Sequence, residues 1–256
     1  MKNQDFKDRD FKDHFSGHAE DYARYRPGYP PCLFDWLAGQ APAGNLAWDV
    51  GTGNGQVARV LARHLARVHA TDASPQQLAR AEGPANVRFV VEPAERCSLA
   101  IGEVDLVTVG QALHWFDLER FYPEVQRVLK PGGLFAAWTY QLNEITPDVD
   151  GIVDAFYENV VGPYWPPERV HVEQGYEDLP FPFTELDAPA FSLETRWTLE
   201  EYLGYIGTWS ALRRYRAQVG EDPLPDLRKR LESVWGEAEA VQAVRWPLAL
   251  RVGRKS

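Results

Sequence analysis

WDVGTGNGQVARVLARHL, residues 48–65, decides the fold. The apolar run Leu46–Val50 enters it as a strand, glycines at 51, 53 and 55 make the turn, and Gln56–Leu65 leaves as a helix. Glycine permits positive φ and a close approach of the backbone to a ligand. The helix start that follows presents unpaired N–H groups and positive dipole. A dinucleotide fingerprint, G-x-G-x-x-G, needs glycine at position 56, where this chain has glutamine. The spacing is instead G-x-G-x-G with Asp49 in front. That acid is awkward beside a pyrophosphate and useful beside a ligand that carries an ammonium group. Asp72, 21 positions after Gly51 and at the end of the next apolar run, stands where a ribose-hydroxyl acceptor is expected. The plainer reading is a tight turn only, with Asp72 and Ser74 capping a helix that starts near Pro75.

Outward from the turn, short apolar runs alternate with helical ones: Val68–Thr71 then Pro75–Ala81, Val87–Val91, Val104–Val109 then Leu118–Leu129, and Leu134–Thr139. This rhythm predicts βαβ units, right-handed crossovers and a parallel sheet. Ligands of such sheets bind at the carboxyl ends of the strands, so the loops after Val50, Thr71, Val91, Val109 and Thr139 are the ones to inspect. Before the turn, Pro27, Pro30 and Pro31 exclude a helix through HAEDYARYRPGYP, and Cys32–Leu37 starts a helix that ends near Gly39. After Tyr140 the rhythm breaks. Residues 142–182, rich in Pro, Gly, Tyr and acids, read as an insertion with one helix near Val149–Val161. Phe191–Trp197 reads as a strand, Leu199–Val219 as helix broken near Gly204 or Gly207, Leu227–Trp235 as helix and Ala240–Val252 as a terminal strand. No low-complexity linker divides the chain. The expectation is a single domain over 1–256, with an N-terminal lid and helix (1–40), a ligand-binding core (41–140) and a substrate-side part (141–256).

The 256 residues are 45% hydrophobic, enough for a sizeable α/β core. A net charge of -10 is the wrong sign for tracking phosphate backbones, so nucleic acid is not an expected partner. The two cysteines, Cys32 and Cys97, show neither a disulfide framework nor metal spacing, and no metal is expected. The charged start MKNQDFKDRDFKDHF does not read as a signal peptide, and no run of roughly 18 apolar residues suggests a membrane span. Together these predict a cytoplasmic protein, monomer or homodimer.

Five stretches carry a resemblance: AWDVGTGNGQVA (47–58), TDASPQQLARA (71–81), VRFVVEPAERCSL (87–99), DLVTVGQALHWFDLERFYPEVQRVLKPGGLFAAW (105–138) and YARYRPGYP (22–30). EYLGYIGTWSALRRY (201–215) adds to it more loosely. The chain resembles the Rossmann-like S-adenosylmethionine-dependent methyltransferases, and within them the small-molecule group that includes trans-aconitate methyltransferase. The resemblance implies a seven-stranded, mostly parallel sheet with helices on both faces, the last strand antiparallel, an N-terminal lid and an insertion after the fifth strand. It implies S-adenosylmethionine as cofactor, S-adenosylhomocysteine as product and a small-molecule methyl acceptor. It puts Gly51 and Gly53 under the methionyl part, Asp49 by its ammonium, Asp72 on the ribose and Ala73 beside the adenine. Ala94 and Glu95 flank the adenine edge, and Gln111 and Ala112 lie near the transfer site. Tyr22 and Arg26 belong to a segment that folds over the cofactor.

Methyl transfer from a sulfonium is an in-line displacement with a neutral leaving group, so alignment and exclusion of water matter most. A base is needed only if the acceptor must lose a proton. A carboxylate acceptor is already ionised and needs a cationic clamp, best supplied by Arg. His114, in QALHWFD after the fourth strand, reads as a base for a hydroxyl or amine, as a donor to an acceptor oxygen, or as a satisfied structural histidine. Trp115 and Phe116 read as pocket wall or plain core. Trp138, Tyr140, Trp165, Trp197 and Trp209 fall in or near segments expected to roof the site; several of them read as ordinary core, but an aromatic-lined pocket points to a partly apolar acceptor. Arg196, Arg213, Arg214 and Arg216 are clamp candidates, but 213, 214 and 216 on one helix cannot all face one site and read by default as a solvated helix face; the resemblance places Arg24 and Arg26, in the lid, better. The expected reaction is methylation of a small carboxylate or hydroxyl compound. Two other readings compete: a nicotinamide- or flavin-dependent oxidoreductase, against which Gln56 counts, and a non-catalytic S-adenosylmethionine-binding protein.

Overall fold

The computed structural model describes residues 27–237 and 239–256. Tyr22, Arg24 and Arg26, with the lid expected around them, lie outside the described residues. Strand β1 (Leu46–Val50) is buried at every position. It lies between β2 (Arg67–Asp72) and β4 (Val104–Gly110), both parallel to it. The sheet order is β3 (Val87–Val91), β2, β1, β4, β5 (Leu129–Tyr140), β8 (Gln242–Arg254), then the two-residue β6 (Thr184–Glu185). The chain therefore winds one way from β1 to β3 and the other way from β4 to β5. The reversal at β1/β4 opens a crevice at their carboxyl ends.

Alternate residues of each strand feed opposite faces. Leu46, Trp48 and Val50 pack with Phe121, Tyr122, Val125 and Val128 of the helix Leu118–Val128. Ala47, Leu134, Ala136 and Trp138 pack on the other face with Leu33, Phe34 and Leu37 of helix α1 (Pro31–Gln40) and Leu61 of α2 (Gln56–Leu61). Pro31 opens α1 at its first turn, where the missing N–H costs nothing. Helix α3 is the single turn Pro75–Leu78, and α4 is Leu118–Val128.

Strand β8 is antiparallel, as expected for the last strand, and runs from 242 to 254. Its first half pairs with β7 (Ser192–Trp197) and its second half, from Leu248, with β5. The change of partner falls at Pro247, which has no N–H to give a ladder. The sixth position of the expected seven-stranded sheet is thus split into β6 and β7, both antiparallel to β8, making eight strands.

A third core joins β7 and β8 to α5 (Pro147–Asn159), α7 (Leu199–Gly207), α8 (Ser210–Val219) and α9 (Leu224–Trp235). The break between α7 and α8 falls at Thr208–Trp209, just past Gly207, where the Thr208 hydroxyl bonds the Tyr205 carbonyl instead of continuing the helix. Helix α6 (Arg169–Glu173) is short and lies in the inserted segment. No helix among the described residues is long and apolar enough to cross a membrane.

Candidate active site

The turn after β1 is a backbone floor. Gly51, Gly53 and Gly55 have φ of 66, 56 and 83°. At Gly51 a Cβ would come within 2.8 Å of the Ala112 Cβ and 3.2 Å of the Phe116 ring, so this glycine lets β1 and the loop after β4 touch. A Cβ at Gly55 would strike the Phe89 ring at 2.8 Å. Gly53 differs: the nearest atom to its Cβ position is the Gln77 side-chain oxygen at 3.9 Å. Here the glycine leaves room on the ligand side. The Gly53 N–H donates to Asp72 Oδ2 at 2.9 Å, and the Ser74 N–H to Asp72 Oδ1 at 2.8 Å. Asp72 is thus aimed across the mouth of the turn, while Ser74 caps α3 by accepting from the Gln77 N–H. The helix cap is thus Ser74, while Asp72 ties the glycine turn to the end of β2.

Asp49 is 1% exposed, and its carboxylate accepts from Thr52 Oγ1 at 2.6 Å and from Thr108 Oγ1 at 2.8 Å. Burial outweighs these two bonds and raises its pKa to about 7. The group lies beneath the glycine turn, tied to β4, and a cation brought over it would be attracted.

The loop after β4 carries Gln111 in the left-handed region, φ 57°, which a residue with a Cβ rarely adopts. Three bonds hold it there. Its N–H donates to the Trp138 carbonyl at 2.9 Å, its Oε1 accepts from Thr139 Oγ1 at 2.7 Å, and its Nε2 donates to the Tyr140 carbonyl at 3.3 Å. Ala112 packs against Gly51, and the single turn Leu113–Trp115 follows. On the loop after β3, Glu95 accepts from the Asp117 N–H at 3.0 Å and Ala94 is buried. Ala73 sits between Asp72 and Ser74 on the same rim.

His114 Nδ1 and the Tyr176 hydroxyl are 2.9 Å apart. Burial, with Arg169 and His171 adding positive charge, lowers the imidazole pKa to about 3. The ring is neutral at any physiological pH. When the phenol donates to Nδ1, the proton sits on Nε2, which has no partner among the described residues. In that tautomer Nε2–H can donate a hydrogen bond, and an imidazole with its pKa held so low is a weak base.

His114, Trp115 and Gln111 line a cavity of about 110 Å³ whose other walls include Tyr140, Trp165, Arg169, Trp209 and Arg213. It continues past Trp165 and Arg169 into a groove of about 700 Å³. Of the five aromatic residues singled out, Tyr140, Trp165 and Trp209 line this cavity, Tyr140 and Trp209 also belonging to the core beneath it, whereas Trp138 and Trp197 are core alone. Phe116 is not wall either; it packs under Gly51 and against Phe121. Of the described arginine candidates only Arg213 lines the cavity. Arg214 donates to the Tyr164 carbonyl, Arg216 pairs with Asp222 and Arg196 is exposed on β7.

Sequence reasoning missed Arg169. It lies in the insertion, where no motif marks it, and only its i,i+4 spacing to Glu173 hinted at a specific role. Its guanidinium carbon sits 4.6 Å from the Trp165 ring and 5.6 Å from the Tyr157 ring, and its Nε donates to the Tyr157 hydroxyl at 2.8 Å.

A model described as "Methyltransferase domain" matches residues 48–137, the stretch from β1 into β5. A candidate methyltransferase of Dictyostelium discoideum is 30% identical over 253 residues, covering 96% of both chains. An uncharacterized methyltransferase of Mycobacterium tuberculosis is 37% identical over 149 residues, 54% of this chain and 60% of that one. The solved structure of a candidate type II methyltransferase from Anaeromyxobacter dehalogenans superposes with a TM-score of 0.86 at 46% identity, covering 90% of this chain and 98% of that one. With the open glycine turn, the aimed Asp72 and the buried Asp49 already in place, these likenesses settle the family: the chain belongs to the S-adenosylmethionine-dependent methyltransferases of the Rossmann-like class.

Proposed function

We propose that the methyl acceptor is a small carboxylic acid with a partly apolar body, and that the product is its methyl ester. The observation that carries this reading is the convergence of two arginines, Arg169 and Arg213, on the cavity that holds His114. A guanidinium matches a carboxylate in charge and shape. The aromatic wall of Trp115, Trp165 and Trp209 suits an apolar body. A hydroxyl acceptor would need a base, and an imidazole held down to about 3 is a poor one.

On this reading Gly51 and Gly53 underlie the methionyl group, Asp49 attracts its ammonium and Asp72 accepts from the ribose hydroxyls. Ala73, Ala94 and Glu95 border the adenine, and Gln111 and Ala112 flank the transfer site. Bound S-adenosylmethionine supplies a methyl on a sulfonium, which leaves as a neutral thioether. Arg169 and Arg213 align one carboxylate oxygen with that methyl, His114 Nε2 steadies the other oxygen, and the aromatic wall excludes water. A carboxylate acceptor would carry its negative charge already, so no residue of the cavity would have to take up or give a proton. Residues 41–140 and 141–256 act together as one catalytic unit, in keeping with a cytoplasmic small-molecule enzyme.

Arg169→Gln tests the clamp. The expected result is an acceptor KM raised roughly 10- to 100-fold, the loss of one charged hydrogen-bonded contact, with the cofactor KM unchanged. An unchanged acceptor KM would contradict it.

A further inference from the structure

We infer that Tyr157 is a positioning residue: its phenol links Glu173 to the Arg169 Nε and so reserves the terminal guanidinium nitrogens for the acceptor anion. The inference rests on the reading of Arg169 as the acceptor clamp.

Arg169 and Glu173 are four residues apart on α6, a spacing that ordinarily brings such side chains into a direct pair. Here they stay 4.0 Å apart from Nε to Oε1. The Tyr157 hydroxyl takes both partners, accepting from Arg169 Nε at 2.8 Å and donating to Glu173 Oε1 at 2.5 Å. Tyr157 comes from α5 and is 9% exposed, so the phenol is held by the core under the insertion. Its ring and that of Trp165 also carry the guanidinium. The terminal nitrogens of Arg169 make no hydrogen bond among the described residues, and Arg169 lines both the cavity and the groove.

Removing the phenol oxygen leaves Glu173 free to swing onto Arg169. A carboxylate takes the planar guanidinium bidentately, so Glu173 would then occupy the nitrogens that an acceptor carboxylate needs. Tyr157→Phe should therefore weaken anion binding through Glu173. A second substitution that removes the Glu173 charge should restore it. Tyr157 acting only as packing would give no such rescue.

The test is calorimetric titration of the full-length protein, saturated with S-adenosylhomocysteine, with phenylacetate as the carboxylate probe. Tyr157→Phe is expected to raise the phenylacetate Kd about tenfold and leave the S-adenosylhomocysteine Kd unchanged. Tyr157→Phe combined with Glu173→Gln is expected to return within about threefold of wild type. Wild-type affinity in Tyr157→Phe, or a double variant no better than the single one, overturns the inference. Arg169→Gln separates the two levels. If it alone loses phenylacetate, the clamp stands and the Tyr157 link falls. If it binds phenylacetate normally, or if the wild-type protein binds none, the clamp reading falls and takes the link with it.

Discussion

At the carboxyl ends of β1 and β2 the surface is built of backbone. Gly51, Gly53 and the Gly53 N–H that reaches Asp72 lie within two adjoining βα turns. The cavity lined by His114 is instead made of side chains drawn from distant segments: His114 after β4, Tyr140 at the end of β5, Arg169 on α6, and Trp209 and Arg213 at α8. A backbone wall depends on glycines and strand ends and tolerates little change. A side-chain wall can be rebuilt by substitution without moving the sheet. The match to the methyltransferase domain model takes in His114 but ends at residue 137, before Tyr140, Arg169, Trp209 and Arg213.

Perturbing the backbone wall should have the largest effects. Gly53→Val puts a branched side chain into the open side of the turn at φ 56°. The strain costs about 1–2 kcal/mol of stability. Cofactor affinity should fall far more, and titration calorimetry beside a melting curve separates the two. Asp72→Ala removes the acceptor of two N–H bonds as well as the proposed ribose contact. S-adenosylmethionine should bind roughly 30- to 100-fold more weakly, with phenylacetate affinity unchanged. An equal loss for both ligands would show that the two walls are not independent.

Asp49 tests the boundary between the walls. Burial holds its carboxyl at about 7 in the folded chain, above the ordinary aspartate value of 3.8. The stability it contributes is full below about 3.8 and is lost as pH rises through about 7. A bound ammonium above it lowers that pKa, so cofactor binding near pH 7 should release protons. Calorimetry in phosphate and in Tris should give different heats for wild type and equal heats for Asp49→Asn. The smallest effect belongs to His114. With its pKa at about 3, kcat/KM should show no inflection from imidazole titration between pH 5 and 9. An inflection near pH 6 that His114→Gln abolishes would restore the general-base reading.

The same contrast governs what could be read in advance. The alternation from Leu46 to Thr139 reports burial on both faces of a parallel sheet, and the turn glycines report backbone conformations that only glycine adopts easily. Both signals are local. The split of the sixth strand was not legible, because β6 is two residues held by β8 and carries no pattern of its own. Trp138 and Trp197 lie in the segments that end near the site, but position along a segment does not say which face a side chain takes, and both face the core. Arg169 was invisible for a different reason. Its role depends on Trp165, Tyr157 and a cavity closed by α8, none of which is near it in both sequence and pattern. Arg213 was named among three near-equivalent neighbours, and only the helix phase selected it.

The most direct test of the proposed chemistry is the alkali lability of the product. The enzyme is incubated with methyl-labelled S-adenosylmethionine and a panel of small carboxylic acids, and the purified product is treated with mild base. Release of the label as methanol, dependent on Arg169, is the result expected for methyl ester formation. A methyl group that stays attached in base, as in an ether, an amine or a carbon-methylated product, would contradict a carboxylate acceptor.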